Sequence, residues 1–361
     1  MKIIYSKERY IRHSRHVARK AFKRRQKRKA ILKAKRRAMQ GKSIIEKKSA
    51  NKFSRYTNIT APKNFSFLEN TAGVISFLNS IERLREKNKM VYVVLKNVET
   101  IDYGAITVLL STMFKFKEVR IGFNGDFPLN DEARRLIIES GFFEQLKKET
   151  NGRSTYHIGK DNQIITHARK NVSSELGLPI MRAATRTIWG EERICQGLQR
   201  VLVELMQNTN NHAAKDRKGG KHWWLSINHD KVRKKVSFVF MDHGVGIFSS
   251  LKNKELDSKW YGWQEIIKRV GISTDEEILK LLLDGKMHKT VTKEKFRGKG
   301  LPGIKQTLDR NQIGNLHVIT NNVYANVENN DYRLLTNVFK GTFLYWELSE
   351  KNINKPWTIK Y

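Results

Sequence analysis

Glu204-Leu-Met-Gln-Asn208-Thr-Asn-Asn-His212 decides how the larger part of this 361-residue chain is read. From Glu191 to Ala213 there is no proline and one glycine, and Ile194, Leu198, Val201, Leu202 and Leu205 recur at helical spacing. That spacing predicts a helix with one core-facing stripe. Glu204, Asn208 and His212 are each four residues apart, so they stack along a neighbouring edge of the same helix. A carboxylate and an amide oxygen placed this way suit Mg²⁺, a hard cation that takes oxygen ligands from few protein groups plus phosphates. An amphipathic helix with an ordinary polar face accounts for this piece equally well.

Outward from the helix, three further pieces follow in order. His222 to Asn228 and Val236 to Met241 alternate in twos around a polar break from His229 to Lys234, which predicts a hairpin. Its second strand delivers Asp242-His-Gly244-Val-Gly246-Ile247 to the sheet edge. An acid there accepts hydrogen bonds, and glycines let the backbone turn and approach a ligand closely; a plain loop after a strand also uses Asp and Gly freely. Next comes Gly298-Lys299-Gly300-Leu-Pro-Gly303 ahead of a helical stretch, Ile304 to Asn311, so backbone amides and the helix dipole can face an anion. Pro302 falls at an early helix position, where its missing N–H costs nothing. Last is an alternating strand, Gly341-Thr342-Phe-Leu-Tyr-Trp-Glu-Leu348.

Any one of these motifs recurs by chance; four in this order and at these intervals do not readily do so. Together they resemble the Bergerat-fold ATPases, the family of gyrase B subunits, mismatch-repair ATPases, heat-shock chaperones and sensor histidine kinases. The resemblance implies an α/β fold, an α+β sandwich with a mixed sheet and a helical layer, over 150–350. It implies ATP and Mg²⁺ as cofactors. Glu204 matches the catalytic position, Asn208 the metal position, Asp242 the adenine acceptor and Thr342 a neighbour of the base. Gly244, Gly246, Gly298, Lys299, Gly300 and Gly303 match the nucleotide loops. Residues 248–297 fall where the family keeps its ATP lid; Trp263 to Val270 and Glu276 to Leu283 carry helical spacing, and Lys293, Lys295, Arg297 and Lys299 are cations able to neutralise phosphate oxygens. Relatives of the gyrase and repair kinds dimerise when ATP closes the lid, so an ATP-dependent homodimer is an implied partner.

Composition carries a second expectation. A formal charge of +35 points to a polyanionic partner. About half of it lies in residues 1–50, an arm expected to be helical or disordered. Arg19, Lys20, Lys23, Arg24, Arg25, Lys27, Arg28 and Lys29 crowd one segment without Pro or Gly, while Ile11, Ala18, Phe22, Ala30, Ile31, Ala34 and Ala38 give a poor apolar face. Binding DNA or RNA, with counterions released at each phosphate contact, fits best. Anionic membrane binding asks for a stronger apolar face, and organelle-targeting peptides favour Arg and Ser over Lys-rich blocks. No apolar stretch is long enough to span a bilayer, so the expected location is the cytoplasm, with no membrane partner.

Between arm and ATPase, residues 64–149 read as a smaller α/β domain. Val91 to Leu95 predicts a buried strand, Ala105 to Phe116 a helix, Val119 to Phe123 a strand, and Asn130 to Ser140 a helix stopped at Gly141. The Ile101-Asp102 turn and the later Glu139-Ser-Gly-Phe142 resemble a STAS domain, the sulfate-transporter and anti-sigma-antagonist family. That implies a docking module for a protein partner. Tyr103 and Gly104 follow Asp102, whereas anti-sigma antagonists carry a phosphorylatable serine there. Thr150 to Ala184 reads as a connecting strand pair with segments Tyr156–Ile158 and Gln163–Ile165.

Cys195, the single cysteine, lies in an apolar stretch and reads as a buried thiol. Ten histidines show no paired-ligand spacing for zinc. The functional expectation is slow Mg²⁺-dependent ATP hydrolysis working as a conformational switch, tied to nucleic acid through the arm. Two alternatives stay open: a serine/threonine protein kinase of the anti-sigma type, and a non-catalytic nucleic-acid-binding protein that senses ATP.

Overall fold

The computed structural model describes residues 13–26, 28–29, 55–142, 164–168, 174–212, 223–248, 274–286 and 300–353, with the backbone alone over 164–168, 174–176 and 206–212. Two compact units divide the chain, 1–56 and 57–361. In the first, 13–26 and 28–29 are helical and every side chain of that helix is exposed.

The second unit opens with a small parallel sheet. Strand β1 (Thr57–Thr60) pairs with β3 (Val91–Val94), which pairs with β5 (Phe123–Gly125); β2 (Asn64–Phe65) and β4 (Thr100–Ile101) form a separate parallel pair. The domain thus begins before the expected Asn64. Helix α1 (Thr71–Glu86) follows β2, and α2 (Tyr103–Glu118) follows β4. Asp102 caps α2, its Oδ1 accepting from the Ala105 N–H at 2.6 Å. The strand expected over 119–123 is later and shorter because α2 ends in a left-handed turn at Arg120, φ 58°. There the Ile121 N–H reaches the Phe116 carbonyl and the Arg120 N–H the Lys117 carbonyl, a Schellman closure that uses up the first residues of the predicted strand. Helix α3 (Asp131–Glu139) is capped by Asn130 and closed at Gly141, φ 77°, as the sequence implies.

A five-stranded sheet forms the centre: β6 (Ile164–Ala168), β7 (Trp223–Asp230), β8 (Lys235–Asp242), β9 (Gly314–Asn326) and β10 (Asp331–Ser349), in the order β6-β7-β8-β10-β9. All four pairings are antiparallel, so the sheet expected to be mixed is not; parallel pairing is confined to the small sheets. The hairpin from His222 to Met241 is present as β7 and β8. Where a strand pair is expected over 150–184, the described residues hold one strand, β6, and then helix α4 (Ser174–Trp189), whose Ile180, Met181, Ala184 and Ile188 are buried at helical spacing. Tyr156–Ile158 lies outside the described residues, as does the expected boundary near 150. Helices α5 (Gln196–His212), α6 (Asp275–Leu283) and α7 (Gly300–Asp309) complete the unit.

Both faces of the large sheet are covered over β7, β8 and the stretch of β10 paired with β8. One face sends Leu225, Phe238, Phe240, Leu344 and Trp346 into a core shared with α4, α5, α6 and α7. The opposite face sends Trp224, Val239, Met241, Ile319, Phe339 and Phe343 into a second core with α1 and α2. Those two helices lie between the large sheet and the small one. Helix α2 accordingly buries apolar residues on every side, including Ile106, Val108, Leu109, Leu110 and Phe114. Phe67 meets Phe343 edge-on at 4.6 Å, and Phe114 meets Trp224 at 4.9 Å; such aromatic pairs contribute about 0.5–1.5 kcal/mol each beyond the area they bury. The region 64–142 thus packs onto the large sheet through α1 and α2.

Candidate functional site

Asp242 ends β8, and antiparallel register sets it opposite Thr342 of β10 and Trp223 of β7, while Thr342 stands opposite Thr320 of β9. Paired residues point to the same face of a sheet. The rung Trp223–Asp242–Thr342–Thr320 therefore lies on the face covered by α4 to α7. The Gly244 N–H donates to Asp242 Oδ1 at 2.6 Å, and Thr342 donates to the same carboxylate from both its hydroxyl and its backbone N–H. Two residues a hundred positions apart in the sequence thus meet directly. Burial raises the Asp242 carboxyl to about 6, with these three hydrogen bonds opposing the rise. A carboxylate offers about four acceptor directions, and among the described residues these donors meet three of them.

Gly341 is what lets β10 come in so close. Its φ of 141° and a hypothetical Cβ only 2.1 Å from the Asp242 carbonyl oxygen leave no room for a side chain. Gly246, φ 80°, has a different reason to be glycine from the one its sequence suggests. A Cβ there would lie 2.3 Å from Asn321 Oδ1, so the missing side chain admits the Asn321 amide.

Thr320 and Asn321 hold the glycine turn from β9. Thr320 Oγ1 accepts from the Ile247 N–H at 2.9 Å and donates to the Gly341 carbonyl at 3.2 Å. Asn321 Oδ1 accepts from the Phe248 N–H at 3.1 Å, and its Nδ2 donates to the Val245 carbonyl at 3.0 Å. Sequence reasoning passes over both residues. Their signal is the polar run Thr320-Asn-Asn322 inside an otherwise apolar strand.

Glu204 is half-buried on α5, and Asn208 follows one turn later, where the backbone alone is described. Helices α5 and α7 run antiparallel: a Cβ at Gly197 would press on Gln312, and one at Gly303 on the Arg200 guanidinium at 2.7 Å. With about 1.5 Å of rise per residue, the turn of α5 after Arg200, which carries Glu204, comes level with the start of α7 at Gly300. Gly303 is glycine to admit Arg200, whose Nη1 also donates to Gln306 Oε1 at 3.3 Å. At the same end of α7, Pro302 packs on Gly285 just beyond α6. Gly298 and Lys299 lie outside the described residues, as do Lys293, Lys295, Arg297 and the first expected lid helix; the second is α6.

Of the arm residues, Arg19, Lys20, Lys23, Arg24, Arg25, Arg28 and Lys29 are exposed on its helix and Lys27 lies outside the described residues. Cys195 is buried, and burial pushes its thiol up to about 12, which keeps it protonated and unreactive at neutral pH. Asp102 serves α2 and takes a further 2.6 Å hydrogen bond from the Ser66 hydroxyl. The described residues also form an open-sided cavity of about 550 Å³ lined by Val93, Ile106, Leu109, Met113 and Phe123, and no sequence-predicted site residue lines it. No described helix is long and apolar enough to cross a membrane. Compared with known proteins, the chain matches no family model and no curated protein.

Proposed function

We propose that this chain binds ATP with Mg²⁺ on the α5–α7 face of the large sheet and hydrolyses it slowly as a conformational switch, while its basic arm holds nucleic acid. The observation that carries the reading is the meeting of Asp242, Gly244 and Thr342 around one buried carboxylate with one acceptor direction to spare. The exocyclic amino group of adenine is a donor of the right kind for it. Support for the triphosphate comes from the antiparallel pair α5/α7: the N-terminal turn of α7, the positive end of its dipole, lies level with Glu204. The family resemblance rests on this site rather than on strand direction, since the sheet is antiparallel throughout.

Within this reading, Asp242 fixes the base, and the backbone from Gly300 to Gly303 receives phosphate oxygens. Asn208 holds the metal, which when bound neutralises charge on those oxygens. Glu204 orients the attacking water and accepts its proton. Phosphoryl transfer to a protein partner would use the same pocket, and labelled ATP separates the two outcomes as free phosphate or labelled protein.

Calorimetry with Mg-ATP tests the core of the proposal. Wild type should bind, Glu204→Ala should retain binding and lose turnover, and Asp242→Asn should weaken binding at least about tenfold, the equivalent of about 1.4 kcal/mol. Absence of heat with wild type rejects it. A chain starting at Asn51 should keep ATP affinity and lose salt-sensitive binding of DNA or RNA; unchanged nucleic-acid binding removes the arm from that role.

A further inference from the structure

We propose that Asn321, together with Thr320, is the positioning residue that makes the site adenine-selective, an inference that rests on the nucleotide reading above. Selectivity at Asp242 depends on where its remaining acceptor direction points. Adenine presents an amino donor at its six position, whereas guanine presents a carbonyl oxygen that a carboxylate repels. The direction is fixed by the Gly244 N–H on Oδ1 and by Thr342, and Gly244 belongs to a turn whose far end, Phe248, is anchored in the core.

Asn321 fixes the peptide groups of that turn. Its amide grips the turn twice, accepting from Phe248 and donating to Val245, on either side of Gly246. Thr320 adds the grip on Ile247 and ties it to the Gly341 carbonyl, next to Thr342. Asn321 reaches this position from a left-handed backbone, φ 50°, a conformation asparagine tolerates better than most residues. Gly246 gives up its Cβ to the same amide. One two-residue segment of β9 thus holds both partners of the Asp242 carboxylate: the turn through Gly244 and the strand through Gly341–Thr342.

Removing the amide should release the turn and let the carboxylate swing. Affinity for ATP should then fall, and the preference for ATP over GTP should fall with it, because GTP loses nothing that it had. A residue that merely stabilised the fold would lower both affinities together and leave their ratio unchanged.

The experiment measures dissociation constants for Mg-ATP and Mg-GTP by calorimetry on the full chain, with thermal melting as a folding control. Asn321→Ala should weaken ATP about 10–100-fold, the size of one or two lost hydrogen bonds to buried groups, and shrink the ATP/GTP ratio by a similar factor. Asn321→Asp keeps the acceptor for Phe248 and loses the donor to Val245, so it should fall in between. Thr320→Val, which keeps shape and removes the hydroxyl, should move the ratio the same way by less. Should Asn321→Ala fail to fold, the other two variants decide. A wild-type ratio in every folded variant overturns the assignment. Wild type that binds no ATP overturns the nucleotide reading instead, and this inference with it.

Discussion

Asp242 is held between opposing effects. Burial favours the protonated acid while three hydrogen bonds favour the carboxylate, and burial wins enough to bring the group to about 6. Its ionised form is the one that keeps an acceptor direction open. Binding of adenosine, which lacks phosphates that titrate in this range, should therefore weaken as pH falls through about 6, approaching tenfold per unit below it; Asp242→Asn should bind weakly with a flat profile. Stability has the opposite sign. A group whose pKa is raised from 3.8 to about 6 on folding stabilises the native state most below 3.8, and that contribution is lost as pH rises through about 6. The urea midpoint of wild type relative to Asp242→Asn should accordingly fall across that window. A difference that is constant with pH would mean that Asp242 is as solvated in the folded chain as in the unfolded one.

At the level of elements, β10 is the strand on which the site depends. It pairs with β8 on one side and β9 on the other, with a register shift against β9 between Phe339 and Thr342. Gly341 sits inside that irregularity, and a methyl group there would meet the Asp242 carbonyl oxygen at 2.1 Å. Gly341→Ala should push β10 off β8 at the rung bearing Asp242 and Thr342. We expect a loss of about 2–4 kcal/mol in urea denaturation from strain and lost pairing, with ATP affinity falling in parallel; an alanine variant of wild-type stability would show that the strands can separate there without cost. The same elements show what a sequence does and does not disclose. Helix α5 and the β7–β8 hairpin are legible because their signals are local: a 3.6-residue stripe and alternation in twos. Strand β9 is not, since Thr320-Asn-Asn322 interrupts its apolar run. The reason for Gly246 is hidden too, because the amide that fills its Cβ space comes from Asn321, about 75 residues further on.

For the whole molecule, the consequential feature is that the large sheet is packed on both faces around the rung bearing Asp242. Asp242 and Thr342 point to the face packed by α4 to α7, while their neighbours Met241 and Phe343 point into α1 and α2. Phe343 reaches the start of α2, where a Cβ on Gly104 would come within 3.0 Å of its ring. Ser111 of α2 lies 3.7 Å from the Met241 sulfur. The region 64–142, which reads in sequence as a separate module, therefore shares one core with the large sheet. A chain beginning at Phe143 would bare Trp224, Val239, Met241, Ile319, Phe339 and Phe343 together, a contiguous apolar patch of the kind that soluble monomers do not tolerate. We expect it to sediment as aggregate, to show no cooperative thermal transition and to bind no ATP. A chain lacking only residues 1–50 should melt as wild type does, since 1–56 forms its own compact unit. Were the Phe143 fragment instead soluble, cooperative and able to bind ATP, α1 and α2 would be a detachable cover, and the shared core would be dispensable for holding the sheet and the site it carries.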